Sequence, residues 1–311
     1  MDEQHNGPIV NYGMMSTGTG DTTISGNVAI GPNARVESGG SRAEKAPSTR
    51  EHWDLGVITA LSVETRAVVA MLQRSGAYRK QSSPGGHRFH QAHIAAGTES
   101  VKVVATQCLS PGQRSAMAAF QNLRATYAPS YVALVGIAGG IHQDTDLGDV
   151  VIAREVVYYD MRKETSDGVL RRGQSLQVPG VVLHAVNDFF ADHETPLHLM
   201  GTDPEGAGRP FKVLSGPIGS GEAVLADSGS DVRRYLGLFN DKTLAVETEA
   251  GGLAQAFYEG VTDDGAPLGW LAIRGISDKA DSVKNDAYHS VAARNAATVL
   301  ERLLSHLTTV G

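Results

Sequence analysis

The feature that most limits what this chain can fold into is a set of short, unbroken apolar runs separated by stretches with helical spacing. Leu55–Thr59, Tyr131–Val135 and Leu268–Ile273 are almost wholly apolar, as expected of strands covered on both faces by helices. Val101–Thr106, Val150–Val157, Lys212–Ser215 and Leu244–Val246 read as further strands. Between them, Glu64–Gln73, Gln113–Thr126, Ala185–Ala191, Glu249–Tyr258 and Ala287–Leu307 read as helices, the second started by Pro111-Gly112 and the last long and amphipathic. Strands alternating with helices predict an α/β domain of three layers, αβα, around a mixed, mostly parallel central sheet.

That domain does not fill the chain. Residues 1–36 are rich in Gly, Ser, Thr and Asn with isolated aliphatics, too little apolar surface to offset the entropy of ordering them. Residues 37–51 read as a flexible linker, and the folded domain is expected over residues 52–311. Within the tail, Val28 and Ile30 alternate with small residues before Gly31-Pro32-Asn33 turns the chain. Such an alternation can stack in register with identical copies, stabilised by Asn ladders and buried Val and Ile. Residues 21–36 therefore leave two readings, a disordered tail and an amyloid-forming one.

Composition removes several classes. Of 311 residues 41% are hydrophobic, enough for a sizeable core, and the net charge of −7 lacks the basic footprint of a nucleic-acid binder. A small anionic substrate, which needs only local positive charge, stays compatible. The single cysteine, Cys108, excludes an internal disulfide and a multi-cysteine zinc site, and its strand-like surroundings predict a buried core thiol. No apolar run approaches the roughly 18 residues of a membrane span, and no charged segment followed by an apolar stretch opens the chain. The expected setting is cytoplasmic, with neither membrane nor nucleic acid as a partner.

Three segments place acidic residues or glycines just after strands, where open α/β sheets usually bind ligands. In Gly56–Glu64 a strand runs into a helix whose first turn holds Glu64. A plain helix-dipole role, worth about 1 kcal/mol at most on a surface, is the alternative for this residue. In Val135–Gly140 (VGIAGG) glycines after a strand would let backbone approach a ligand, or simply make a tight turn. The third segment is a pair, Ala245–Ala250 (AVETEA) and Ile273–Asp278 (IRGISD). If their strands are neighbours, Glu249 and Asp278 project into one crevice, where clustered carboxylates raise one another's pKa, as general acid–base chemistry requires.

In this order and spacing, LGVITALSVE, GIAGG followed by LGDVVIA, AVETEA and RGISDKAD resemble the nucleoside phosphorylase/nucleosidase superfamily, and within it the methylthioadenosine/S-adenosylhomocysteine nucleosidases. The resemblance runs from Asp54 to Leu307 and implies cleavage of the base–ribose bond of a purine nucleoside or nucleotide. It implies Glu64 as the base that activates water, Glu249 as the carboxylate that binds the ribose hydroxyls, and Asp278 as the acid at purine N7. Ala138 and Gly139 then fall beside the sugar, Ser277 beside the acid, and Glu247 and Thr248 beside Glu249. Ser220–Leu225 resembles the purine-contacting loop, which brings Val224 and Leu225 to the base. Neither metal nor organic cofactor is implied, and a homo-oligomer is.

The chain departs from the family pattern at Ile137 (usually Ser), Thr248 (usually Met) and Val224 (often an aromatic ring), which bears on the substrate more than on the bond cleaved. Arg162, Lys163, Arg171 and Arg172 form a basic cluster that reads either as a solvated loop or as a reader of 5′-phosphates. The glutamate at the first turn, in place of a glycine- and arginine-based phosphate cradle, favours water over phosphate as nucleophile. The tail resembles the amyloid signalling motifs of bacteria and fungi, which are similar to the RIP homotypic interaction motif. That implies an upstream receptor carrying a similar motif and a role as an immune effector that depletes ATP-like nucleotides. A phosphate-dependent phosphorylase and a catalytically silent nucleotide sensor or adaptor are the rival readings.

Overall fold

The computed structural model describes residues 52–308 except 98, 194, 264, 284 and 285. The chain divides into two units, Met1–Arg50 and Glu51–Gly311, and every described residue belongs to the second. The tail and its motif lie outside the described residues.

In chain order the elements are β1 (Leu55–Thr59), α1 (Ser62–Gln73), β2 (Arg79–Ser82), β3 (Arg88–Ala96), β4 (Glu99–Gln107), α2 (Gln113–Tyr127), β5 (Tyr131–Gly140) and β6 (Val150–Tyr158). There follow β7 (Arg162–Thr165), β8 (Gly168–Arg171), β9 (Gln174–Gln177), α3 (Gly180–Ala191), β10 (Leu197–Thr202), β11 (Gly208–Ser220) and α4 (Asp231–Phe239). The chain closes with β12 (Ala245–Glu247), α5 (Ala250–Glu259), β13 (Gly269–Asp278) and α6 (His289–Thr308).

One mixed sheet carries the domain, in the order β10-β11-β6-β13-β5-β1-β4-β3-β2, with β12 pairing β11 and β5, and β9 pairing β6. Its centre is parallel: β5 lies between β1 and β13, and β1 also pairs β4 in parallel. β13 and β5 are buried almost throughout, as the apolar runs Tyr131–Val135 and Trp270–Ile273 within them require. Helices α1, α3 and α6 pack together, and α2 and α5 pack together as a second group, which gives the three layers. Each helix earns its place through an apolar stripe, such as Ala116, Ala119, Phe120, Leu123 and Tyr127 of α2. α2 stops where Ala128 turns left-handed (φ 45°) ahead of Pro129, which cannot continue a helix. α6 sits hard on β13 because Gly275 has no side chain; a Cβ there would lie 2.5 Å from the Ala292 carbonyl carbon. Among the described residues no helix is long and apolar enough to cross a membrane.

Two readings of the sequence need correction. The glycines of VGIAGG make no turn: β5 continues to Gly140, held by β13 on one side and by antiparallel pairing of Gly139 and Gly140 with Val246 and Ala245. Likewise the strand expected to end at Ile273 runs to Asp278, so Ser277 and Asp278 stand on a strand end rather than beyond it. The sequence reading also passed over β2, β3, β7 to β10 and α4. β2 is exposed at every residue, so no burial pattern marks it, and β7 and β8 form a separate exposed hairpin.

Candidate active site

The carboxyl ends of β1, β5, β12 and β13 converge on one cavity of about 180 Å³, room for a single small ligand rather than a polymer. Its lining includes Glu64, Ala138, Gly139, Val224, Leu225, Glu247, Thr248, Glu249, Ser277 and Asp278. It also includes Leu61, Pro111, Ile137 and His289.

Glu64 is 2% exposed, in the first turn of α1. Its Oε2 accepts the backbone N–H groups of Ala60 (2.7 Å) and Leu61 (2.8 Å), and its Oε1 accepts that of Ile137 (2.8 Å). Burial pushes its pKa above the usual carboxylate range, against the pull of Arg274 and of the Leu61 and Ile137 N–H groups. The result is a buried carboxylate held in one orientation and biased toward accepting a proton, which is what a general base needs.

Glu247 and Glu249 flank the junction of β12 and α5. Glu247 accepts the N–H groups of Glu249 (3.0 Å) and Ala250 (2.9 Å), so it caps the start of α5 from within the sheet. Burial raises its pKa as well, opposed by Arg274. Glu249 Oε1 accepts from Gly112 N–H (2.9 Å) and from the Thr248 hydroxyl (2.5 Å). Its Oε2 accepts from Arg274 Nη2 (2.9 Å). A carboxylate has about four acceptor positions, so Glu249 keeps capacity for a ligand hydroxyl.

Asp278, at the end of β13, accepts the Ser277 hydroxyl on Oδ2 (3.0 Å) and the Ala280 N–H on Oδ1 (2.8 Å). Ala280 takes the left-handed backbone (φ 51°) that turns its N–H back toward this oxygen. The Ser277 hydroxyl also lies 3.3 Å from the Ala138 carbonyl, which ties the acid to the end of β5.

Under these groups lies a residue that the sequence reading did not single out. Arg274 of β13 is fully buried, and its Nη2 donates to both Glu247 and Glu249 while its Nη1 stands 3.9 Å from Glu64 Oε1. Burial alone would lower its pKa; the three carboxylates outweigh that and raise it, so the guanidinium stays charged. One cation thus balances three buried acids. The signal in the sequence was an arginine inside an otherwise apolar strand, since an unpaired charge is almost never found there. His289, the first residue of α6, was also passed over; it lines the cavity with its Nε2 3.3 Å from Asp286 Oδ1.

The basic cluster takes a different position. Arg162, Lys163 and Arg171 belong to the β7–β8 hairpin and Arg172 follows it, and none of the four lines the cavity. Arg162 pairs with Glu164 (2.7 Å) and Asp160 (3.7 Å), and Arg171 donates to the Tyr159 carbonyl (3.3 Å). Cys108, just past β4, is buried as expected, and burial together with the nearby Glu249 carboxylate pushes its thiol up to about 12.

A cavity at the carboxyl ends of parallel strands, walled by oriented carboxylates, defines an α/β protein that handles a small polar molecule. The chain belongs to the phosphorylase superfamily, whose family model matches residues 54–307. It is 28% identical over 269 residues to ATP nucleosidase Cap17 of Escherichia coli (strain KTE188), a match covering 80% of this chain but 50% of that relative, so the chain spans about half its length. It is also 28% identical over 261 residues to the 5′-methylthioadenosine/S-adenosylhomocysteine nucleosidase of Chromohalobacter salexigens, covering 82% of this chain and 98% of that one. In fold it matches the Streptococcus pneumoniae 5′-methylthioadenosine/S-adenosylhomocysteine nucleosidase solved with a transition-state inhibitor. There the TM-score is 0.62 at 21% identity, over 82% of this chain and 99% of the other.

Proposed function

We propose that this chain is a purine nucleosidase-type N-glycosyl hydrolase. The observation that carries the reading is the convergence of Glu64, Glu249 and Asp278 on one cavity, each held by its own hydrogen bonds. In the proposed reaction Asp278 gives a proton to purine N7 as the C1′–N9 bond breaks and its electron pair moves into the base. The sugar left behind carries oxocarbenium-like positive charge, which the carboxylates oppose. Water adds to C1′ and gives its proton to Glu64, while Glu249 holds the ribose hydroxyls. Val224 and Leu225 contact the base, and Ala138 and Gly139 lie beside the sugar.

Water rather than phosphate is favoured by how the backbone donors are spent. The N–H groups of Ala60, Leu61 and Ile137 all point at Glu64, so they are not free to cradle an anion. No Lys or Arg is among the described lining residues.

The similarity to an ATP nucleosidase supports a nucleotide as substrate. The proposal extends to an effector role in depleting ATP, triggered through the N-terminal motif by a receptor with a similar motif, which rests on the resemblance of residues 21–36 alone. In that reading the β7–β8 hairpin, with Arg162, Lys163, Arg171 and Arg172, supplies the phosphate contacts from outside the described cavity, and the enzyme works as a homo-oligomer.

The test is release of free purine in phosphate-free buffer from methylthioadenosine, adenosine, AMP and ATP, with Asp278→Asn alongside. Free adenine is expected from the wild type, with a loss of about 10²–10⁴-fold in the variant. Release that requires added phosphate would replace this reading with a phosphorylase. No release under either condition would replace it with a nucleotide-binding sensor.

A further inference from the structure

The chain must bring a cation from one strand to an acid that belongs to another, and the strand between them is in the way. Arg274 stands on β13, Glu64 follows β1, and β5 runs between the two. Directly beside Arg274 in the β13–β5 register is Gly136. Adjacent strands are roughly 4.8 Å apart, so an arginine side chain spans one strand and no more. Glu64 comes back to meet it, since its Oε1 accepts the N–H of Ile137, the next residue of β5. The two side chains therefore meet over Gly136. A Cβ built at this position would lie 2.6 Å from Glu64 Cδ and would overlap both Glu64 Oε1 and Arg274 Nη1.

We propose that Gly136 is a positioning residue of this site, the gap in β5 through which the Arg274 guanidinium reaches the Glu64 carboxylate. Its backbone is not in the left-handed region, so conformational freedom is not the reason for glycine; space is. The atoms a methyl group would strike are the ends of two side chains, which can give way. Arg274 is anchored at Nη2 by Glu247 and Glu249, and Glu64 at Oε2 by the Ala60 and Leu61 N–H groups, so the methyl group would push Nη1 and Oε1 apart and widen the 3.9 Å between them while those anchors hold. The electrostatic partner of the base is then held farther away. Among the described residues, the charged and titratable groups around Glu64 are Arg274 from β13, Glu249 from the β12–α5 junction and the Cys108 thiol after β4, with Glu247 on the same arginine and Asp278 and His289 lining the same cavity. Arg274 is the only permanent cation of this set, and moving it away leaves burial and Glu249 to favour the protonated acid.

This inference rests on Glu64 acting as the base. The experiment compares wild type and Gly136→Ala in the full chain by the pH dependence of kcat/KM for purine release, and by the titration of the Glu64 carboxyl carbon in protein carrying ¹³C-labelled glutamate, assigned with Glu64→Gln. The acid limb and the Glu64 titration should both move to higher pH, by about 0.5–1 unit for a displacement of about 1 Å at an effective dielectric near 20. KM should change little. Arg274→Lys, which keeps the charge but lacks the Nη1 arm, should shift both in the same direction, and the double variant should shift no further than Arg274→Lys alone. An unmoved limb and titration in Gly136→Ala would overturn the proposal. If that variant does not fold, an unmoved titration in Arg274→Lys would overturn it instead. Absence of purine release from the wild type would refute the proposed function, whereas the carboxyl titration would still decide the role of Gly136.

Discussion

Replacing Arg274 with methionine keeps most of the side-chain volume and removes the charge. Glu247 and Glu249 then lose a donor each, and Glu64 loses its cation, all within a site where these acids are 2–6% exposed. Breaking a buried pair from one side costs about 3–5 kcal/mol, because the partner charge remains buried and uncompensated. For a domain of this size that is a fall in Tm of roughly 6–20 °C. The penalty depends on pH, and its sign follows from the shifts. Glu64 and Glu247 already have raised pKa values in the fold, and losing Arg274 raises them further. A carboxyl whose folded pKa is raised contributes most below its unfolded value of about 4.3, and that contribution is lost as pH rises through the folded value. The deficit of Arg274→Met relative to wild type should therefore be smaller at acid pH and grow as the pH rises. Thermal melts of both proteins across a pH series measure it. A deficit of equal size at both ends, or none at all, would refute the picture of one cation balancing three buried acids.

Other expectations follow from single observations. The acid limb of the wild-type kcat/KM profile should lie above the roughly 4.3 of a free glutamate, since burial raises Glu64; a limb at or below pH 4 would remove Glu64 from the role of base. Cys108, buried and with its thiol pushed up to about 12, should resist iodoacetamide at pH 8 until the protein is denatured, and fast native labelling seen by mass spectrometry would contradict its placement. Gly275→Ala should destabilise the domain by about 3 kcal/mol or more, because its Cβ meets the backbone of Ala292 rather than a movable side chain; an unchanged urea midpoint would mean α6 is not seated on β13 as described.

Much of the central sheet was legible in the sequence because its strands advertise themselves locally. An apolar run such as Tyr131–Val135 can sit only where both faces are covered, and the helix spacing of Gln113–Thr126 states which side turns inward. The edge of the sheet was not legible. The exposed residues of β2 carry no burial signature, and its place is set by pairing with β3, a contact between segments rather than a pattern within one. The glycines after Val135 misled in an instructive way. A run of small residues after a strand reads as a turn, yet here β12 and β13 hold Gly136–Gly140 extended.

The residues expected from the resemblance to reach the ligand, from Glu64 to Asp278, line one cavity, because they stand at strand ends or on the segments just beyond them, and those ends open on one edge of the sheet. What the sequence by itself determined was this list of residue types and their order along strands and helices, since burial periodicity and local start and stop signals are properties of neighbouring residues. Only the tertiary structure decided which acid faces which cation. Arg274, Gly136 and Glu64 sit on or beside three different strands, and their meeting depends on the strand order β13-β5-β1 and on a register that sets Gly136 beside Arg274. Electrostatic balance in a buried site is a matter of distances of a few ångströms between groups far apart in the chain, and no local pattern encodes those distances.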